Sequence, residues 1–466
     1  MKFQIRKMTT SLLVTVPAMV LLLVAAVNPP SALAVPSFAR QTRLPCSGCH
    51  YTPPELNPSG RRFKLLGYVD RADETKVVTA DGSKTRAALN VLASLPLAVM
   101  FETSFTQTKS PVLTTQNGSF EFPQDVSLYL AGAWTTHVGS FLQVTYDTQA
   151  DHFSIDNTDV RYANKTKVSG KELVYGLDFN NTPTVEDLWN TTPAWGFPFV
   201  ADDFSPTPTA SPIINGSLGQ DVAGFGGYAM WNSHLYFNAE LYRSQHVGST
   251  QPNPGVSFPI NIVGVAPYWR VAWQQSTATQ QFEIGAYGIH LRNSPFAIPA
   301  GGTTDVYDDY TDWAVDTQFD QTLFRKDVLS LRGTYIRENS NPAASASVLP
   351  PTGPLASPGG HHLNTFMSNA EFHFGNRYTG TFAWFETSGT ADPLLYPQSP
   401  VNGSANGNPR STGPIANLSF WPWQNLQLAA QYTAYTRFNG ASTNYDGSGR
   451  NASANNTLYL VMRVLF

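Results

Sequence analysis

The sequence is poor in three things, and each shortage excludes something. Of 466 residues only two are cysteines, so no disulfide framework staples this chain. Charged residues make up 13%, with a net charge of −4. That leaves no basic surface for nucleic acid, and no nucleic-acid partner is expected. Beyond the first thirty or so residues, no stretch approaches the ~20 consecutive apolar residues of a spanning helix. A chain that crosses a membrane on this composition has to do so with strands.

The amino end is apolar for a different reason. Lys2, Arg6 and Lys7 precede an apolar run from Leu12 to Val27, and Ala32-Leu33-Ala34 follows. A positive region, an apolar core and an A-x-A site read as a secretory signal over 1–34. Pro17 and the short core argue against a permanent anchor.

Both cysteines fall in Cys46-Ser47-Gly48-Cys49-His50, just after the expected cleavage point. C-x-x-C-H reads as attachment of a c-type haem. Two thiols three positions apart each add to one vinyl group of a porphyrin, and the next imidazole meets the iron. The alternatives are a redox dithiol, which wants a βαβ context, and half a zinc site, which wants further Cys or His nearby. The site residues expected are therefore Cys46, Cys49 and His50, with His50 as axial ligand and one covalent haem c as cofactor. Downstream, Pro53, Pro54 and Pro58 hold the chain extended or turned, and Ser59 is a candidate cap for a short helix ending at Gly67. Phe63 and Leu66 would share one helix face, suited to covering porphyrin. About fifty residues over 35–85 make little core by themselves, so this segment is expected to dock in something larger as a plug or cap.

From about residue 90 the pattern changes to a period of two. Val126, Leu128, Leu130, Gly132 and Trp134 alternate with Ser127, Tyr129, Ala131 and Ala133; Leu235, Phe237, Ala239 and Leu241 alternate with Tyr236, Asn238, Glu240 and Tyr242. Alternation with few charges and many Tyr and Trp predicts an all-β membrane protein over 90–466, roughly a 16-stranded antiparallel transmembrane β-barrel. The spans are 94–107, 125–135, 139–148, 156–166, 172–181, 221–231, 234–244, 265–275, 280–292, 308–320, 326–338, 363–374, 377–388, 411–420, 424–437 and 456–466. Short connections, among them Thr136–Val138, Asn232-Ser233 and Trp421–Trp423, alternate with long ones such as 182–220 and 339–362. Short periplasmic turns and long outer loops are the asymmetry of an outer-membrane barrel. It puts the haem segment in the lumen or at the periplasmic mouth. Trp421 and Trp423 are candidates for an interfacial girdle.

Phe38-Ala39-Arg40-Gln41-Thr42, then Cys46-x-x-Cys49-His50, Pro54-Glu55-Leu56-Asn57 and Gly60-Arg61-Arg62-Phe63 ahead of a barrel-like chain resemble the fused monohaem cytochrome–porins. Those are outer-membrane c-type cytochromes of iron-oxidising bacteria. The specific likeness covers about thirty residues; the rest matches in architecture alone. It implies oxidation of dissolved Fe(II) at the cell surface, an Fe(II) oxidase acting as an electron-transfer cytochrome. Its partners would be Fe(II), a periplasmic carrier of cytochrome c or cupredoxin type, and outer-membrane lipid. Two other functions stay open: a porin whose haem is structural, and outward electron transfer to extracellular metal.

Several residues await a role. A sixth haem ligand is not available between Pro36 and Val99, which hold no second His and no Met besides His50. Met100, beside Glu102, and Met367, Glu371 and His373 on one strand face are candidates, as is a neutral or water ligand. Asp305, Asp308, Asp309 and Asp312 form either a carboxylate site for Fe(II) or a solvated strand end. Arg61 and Arg62 suit haem propionates or luminal carboxylates. His361-His362 are expected in an exposed loop.

Overall fold

The computed structural model describes residues 37–53, 55–69, 75–78, 89–92, 96–112, 115–149, 151–189, 204–216, 218–219, 221–245, 260–295, 306–324, 326–348, 353–375 and 377–466. The leader, Pro54 and Asp305 lie outside them. No helix is long and apolar enough to cross a membrane among the described residues.

Three short helical pieces come first: α1 (Ser37–Thr42), a 3-10 turn (Cys46–Gly48) and α2 (Pro58–Leu65). A two-stranded antiparallel ladder, β1 (Thr75–Val78) with β2 (Leu89–Leu92), straddles the boundary drawn at 85–90 and was not anticipated. Sixteen strands follow: β3 (Leu97–Thr108), β4 (Ser119–Ala133), β5 (Val138–Asp147), β6 (His152–Val168), β7 (Lys171–Asn180), β8 (Val222–Trp231), β9 (Leu235–Ser244) and β10 (Ala266–Ser276). The second half is β11 (Gln280–Asn293), β12 (Asp308–Thr322), β13 (Val328–Asn341), β14 (His361–Phe374), β15 (Tyr378–Gly389), β16 (Ser411–Trp423), β17 (Leu426–Thr433) and β18 (Thr457–Leu465). Each matches one expected span.

Neighbours in sequence pair antiparallel, and β18 pairs with β3 from Thr457↔Thr108 to Leu465↔Met100, closing a 16-stranded barrel. Closure removes the unpaired edge that an open sheet would present to lipid. The outer surface confirms a membrane solvent. Leu418 is 70% exposed, Phe382 58% and Leu241 54%, and Phe225, Phe237, Trp269, Val271 and Trp313 join them on the outside. Such a continuous apolar surface is stable facing acyl chains, not water. The strand periodicity therefore divides lipid-facing from luminal residues as the sequence indicates.

Three local expectations are corrected. The turn after β16 follows Trp423, so Trp421 lies inside the strand. Continuing the inward set Ile415, Asn417 and Ser419, it is 5% exposed and faces the lumen instead of an interfacial girdle. Strand β17 stops at Thr433, four residues early, and Tyr435 and Phe438 leave it to pack against Tyr445 in the loop. His361 and His362 open β14 instead of lying in a loop; His362 is exposed as expected, whereas His361 is half-buried, its Nε2 3.1 Å from Asp392.

The lumen is filled on the β7–β13 side. After β7 the chain turns inward through α3 (Pro183–Glu186), burying Leu188 and Trp189. Farther on, Ile213, Ile214 and Leu218 pack with Ile260 and Ile262 against Tyr242, Tyr268, Tyr287, Leu291 and Ile336. The loop backbone is pinned by strand carboxylates: Ile213 N–H donates to Glu338 (2.7 Å) and Ile214 N–H to Asp312 (2.9 Å). Asp308 accepts from Ser345 N–H (2.9 Å) at the same end. Asp308 and Asp312 are thus buried loop anchors, whereas Asp309 is part-exposed beside His290 and Arg292. Neither of the two readings offered for that aspartate run describes all of it.

Candidate functional site

The C-x-x-C-H run is compact because its backbone folds on itself. Cys46 C=O accepts both Cys49 N–H (3.1 Å) and His50 N–H (2.9 Å), which brings the two cysteines within one turn. His50 then pairs as a single bridge with Leu56, and Asn57 N–H returns to Cys49 C=O at 2.9 Å. Gly60 on α2 passes so close that a Cβ there would stand 2.2 Å from the Cys49 carbonyl oxygen. Helix α2 begins two residues earlier than the sequence suggests. Pro58 takes the first position, where its missing N–H costs nothing, and Asn57 is the cap, accepting from Ser59 and Gly60 N–H. Gly67 ends it with φ of +70°, as expected.

Neither cysteine is in a disulfide, and both, with His50, are half-buried. Burial pushes the Cys46 thiol up, against a backbone hydrogen bond that lowers it. Two uncrosslinked thiols one turn apart and an adjoining imidazole fit the donor set for covalent haem. Phe63 goes to an aromatic group, 5.1 Å from the Phe38 ring centroid and 6.1 Å from Tyr68. Leu66 goes to the Trp189–Tyr236 cluster. The two side chains expected to share a porphyrin face therefore have separate protein partners.

The segment sits inside the barrel near the end with the short turns, and it docks on charge. Three arginines point inward from β6, β10 and β13, each against at least two carboxylates. Arg161 meets Asp159 (2.8 Å) and Asp178 (3.8 Å). Arg270 meets Asp316 (2.6 Å), Glu283 (3.2 Å) and Asp187 (3.5 Å). Arg332 meets Glu371 (3.1 Å) and Glu55. The haem segment enters each cluster. Tyr68 O–H donates to Asp159, Lys64 Nζ donates to the Asp187 carbonyl (2.9 Å), and Glu55 reaches Arg332. Arg61 faces Asp320 at 3.7 Å, and Arg62 forms a two-pronged pair with Glu172 (3.0 and 3.1 Å). Both arginines thus hold luminal carboxylates, one of the two roles foreseen for them. Two strands round from β6, Gln41 lies along β4, its Nε2 donating to Ala131 C=O (3.1 Å) and its Oε1 accepting Ala133 N–H (2.9 Å). Gly132 leaves room for that amide; a Cβ there would be 2.0 Å from Nε2.

Of the candidate sixth ligands, Met100 receives the Tyr129 hydroxyl at 3.6 Å on Sδ. Met367 packs beside the Ile213 cluster, six residues up β14 from His373, or about 20 Å at ~3.3 Å per residue. His373 is brought to the 37–69 segment, with Glu371 beside it. Its ring stacks on Tyr51 (5.6 Å), and Nδ1 shares hydrogen bonds with Thr52 (3.0 Å) and Thr379 (3.3 Å). Burial, then Asp320, pushes the Tyr51 phenol well above its ordinary value. The luminal charge clusters escaped sequence reasoning. Their signal was charge at inward positions of a period-two strand, as in Asp159-Val160-Arg161 and Glu371-Phe372-His373.

No protein-family model matches this chain, and no curated protein is similar to it. Among solved structures it is similar to Salmonella typhi OmpF in complex with daunomycin, at 11% identity and TM-score 0.45, over 79% of this chain and 97% of that one. The outer membrane channel DcaP of Acinetobacter baumannii gives 11% and 0.44 over 79% and 96%. An anion-selective porin from Comamonas acidovorans gives 11% and 0.42 over 80% and 99%.

Proposed function

We propose that this chain is an outer-membrane electron-transfer protein that takes one electron at a time from extracellular Fe(II) and passes it to a periplasmic carrier. The observation that carries the reading is a C-x-x-C-H turn docked by buried charge inside a closed membrane barrel whose lumen is filled on its β7–β13 side. Haem c attached through Cys46 and Cys49, with His50 on its iron, supplies a one-electron couple. The chain's own work is positional. Gly60 and Asn57 hold the Cys46–His50 turn, and the clusters around Arg161, Arg270 and Arg332 hold the segment to the wall. Loops 181–189 and 204–216, with Leu218, exclude bulk water on one side.

A second reading is favoured by the barrel itself: a channel in which haem is structural, since sixteen closed strands are also a pore scaffold. One preparation separates the two. Purified protein carrying its haem is mixed with Fe(II) while the haem spectrum is followed, and is also reconstituted in planar bilayers. Haem reduction by Fe(II) with little ion conductance supports the wire. Steady open conductance with a haem that Fe(II) leaves oxidised overturns it. His50→Ala should abolish the reduction and leave a folded barrel.

A further inference from the structure

Glu55, Glu371 and His373 meet inside the lumen, and the way each is held points to a ligand between them. Glu55 comes from the haem segment, five residues after His50; the other two come from β14. They are 1%, 1% and 3% exposed. Arg332 occupies one oxygen of each carboxylate, Oε1 of Glu55 and Oε1 of Glu371. That turns both Oε2 atoms toward His373 Nε2, at 3.5 Å for Glu55 and 3.7 Å for Glu371. At those separations neither is a hydrogen bond. Glu55 Oε2 and His373 Nε2 have no hydrogen-bond partner among the described residues.

A buried imidazole nitrogen and a buried carboxylate oxygen left facing each other are costly unless something joins them. Three ligand atoms around one metal at about 2.1 Å stand roughly 3.0 Å apart at octahedral angles and 3.4 Å at tetrahedral ones. The two His373 edges are within a few tenths of an ångström of the tetrahedral spacing, and all three ligand atoms lie within 4.8 Å of one another. The supporting groups match the same purpose. His373 Nδ1 lies on the Thr52 and Thr379 hydroxyls, which can accept its N–H; in that tautomer Nε2 is the lone-pair nitrogen, which is how outer partners orient a ligating histidine. Two carboxylates against one guanidinium also leave a negative charge uncompensated.

We propose that Glu55, Glu371 and His373 bind a divalent first-row transition-metal ion, with water completing its coordination. One imidazole and two carboxylates suit Fe(II), Mn(II), Co(II) or Zn(II); an imidazole in the set disfavours Ca(II) and Mg(II). The ion bridges haem segment and barrel wall, so it also fastens the plug. The site stands independently of what the chain oxidises.

Mn(II) is the probe, because its free-ion electron paramagnetic resonance signal vanishes on binding and the haem does not contribute at that position. Haem-loaded protein in detergent should bind one Mn(II) per chain, displaced by Co(II) or Zn(II) and not by Mg(II). His373→Asn and Glu371→Gln should each weaken it at least 100-fold, and Thr52→Val about tenfold. The haem spectrum and heat-modifiable gel migration report that these variants still fold. Wild-type protein that takes up no Mn(II), or a folded His373→Asn protein that binds as wild type does, overturns the site; a histidinium at 373 would then complete the ion pairs. Haem reduction by Fe(II) that is untouched in a metal-free variant keeps the oxidase reading and confines the site to a fastening role. Metal uptake without haem reduction keeps the site and removes the oxidase reading.

Discussion

Gly60→Ala tests the central claim that helix α2 shapes the Cys46–His50 turn. The added Cβ stands 2.2 Å from the Cys49 carbonyl oxygen and 3.0 Å from both the Cys49 carbonyl carbon and Leu56 Cδ2. A carbon and a carbonyl oxygen settle at about 3.3 Å, so something moves by about 1 Å. The carbonyl cannot yield freely, because it accepts Asn57 N–H at 2.9 Å. Losing that bond costs about 1 kcal/mol, and overpacking costs about 1–3 kcal/mol more. Alanine regains about 1 kcal/mol through helix propensity. The net is about 1–3 kcal/mol, concentrated on the segment that presents both thiols. The assay is the yield of covalently bound haem together with the urea midpoint of its absorbance. Gly380→Ala is the control, its nearest neighbour being Leu418 Cδ2 at an ordinary 3.6 Å; it should change stability by no more than about 0.5 kcal/mol. Gly60→Ala with wild-type haem yield and midpoint would refute the packing argument.

Three further outcomes follow. Arg270→Met leaves Asp187, Glu283 and Asp316 buried without their cation, so it should lower the urea midpoint by the equivalent of about 3–5 kcal/mol and expose loop 181–189 to protease; wild-type resistance would contradict it. Asn57→Ala removes the cap on Ser59 and Gly60 N–H and should cost about 1 kcal/mol, with Asn57→Asp restoring it, read from the same haem-absorbance melt. Asp392, in the loop after β15, is pushed up by burial, yet hydrogen bonds from Ser357 and from Leu394 and Leu395 N–H outweigh this and hold its carboxyl below the ordinary range. A depressed carboxylate stabilises above its unfolded pKa of about 3.9 and loses that contribution as pH falls through the folded value. The protection of residues 390–410 against hydrogen exchange, taken relative to the unstructured-chain rate at each pH, should therefore hold down to about pH 4 and fall below it, and Asp392→Asn should remove that fall.

How much could be read beforehand divides along physical lines. Strands β3–β18 were legible because each carries its own solvent contrast: Phe237 and Leu241 must find lipid while Tyr236 and Tyr242 must not. The Cys46–His50 turn was legible because it is local: residues three and four apart meet within one turn whatever the rest of the chain does. What stayed hidden depends on partners far away in sequence. Asp312 reads as a strand-end charge until Ile214, nearly a hundred residues earlier, lays its N–H against it. Trp421 reads as a girdle residue until the strand proves three residues longer. Glu55 and His373 are separated by more than three hundred positions, and only the closed barrel makes them neighbours.

That closure limits the ways in. The pairing of β18 with β3 completes a hydrogen-bonded hoop around residues 37–69, which lie against β4, β6, β8, β12, β13 and β14. Nothing bulky passes through such a wall, so any group destined for Cys46 and Cys49 enters before the hoop shuts or along its axis from the short-turn mouth.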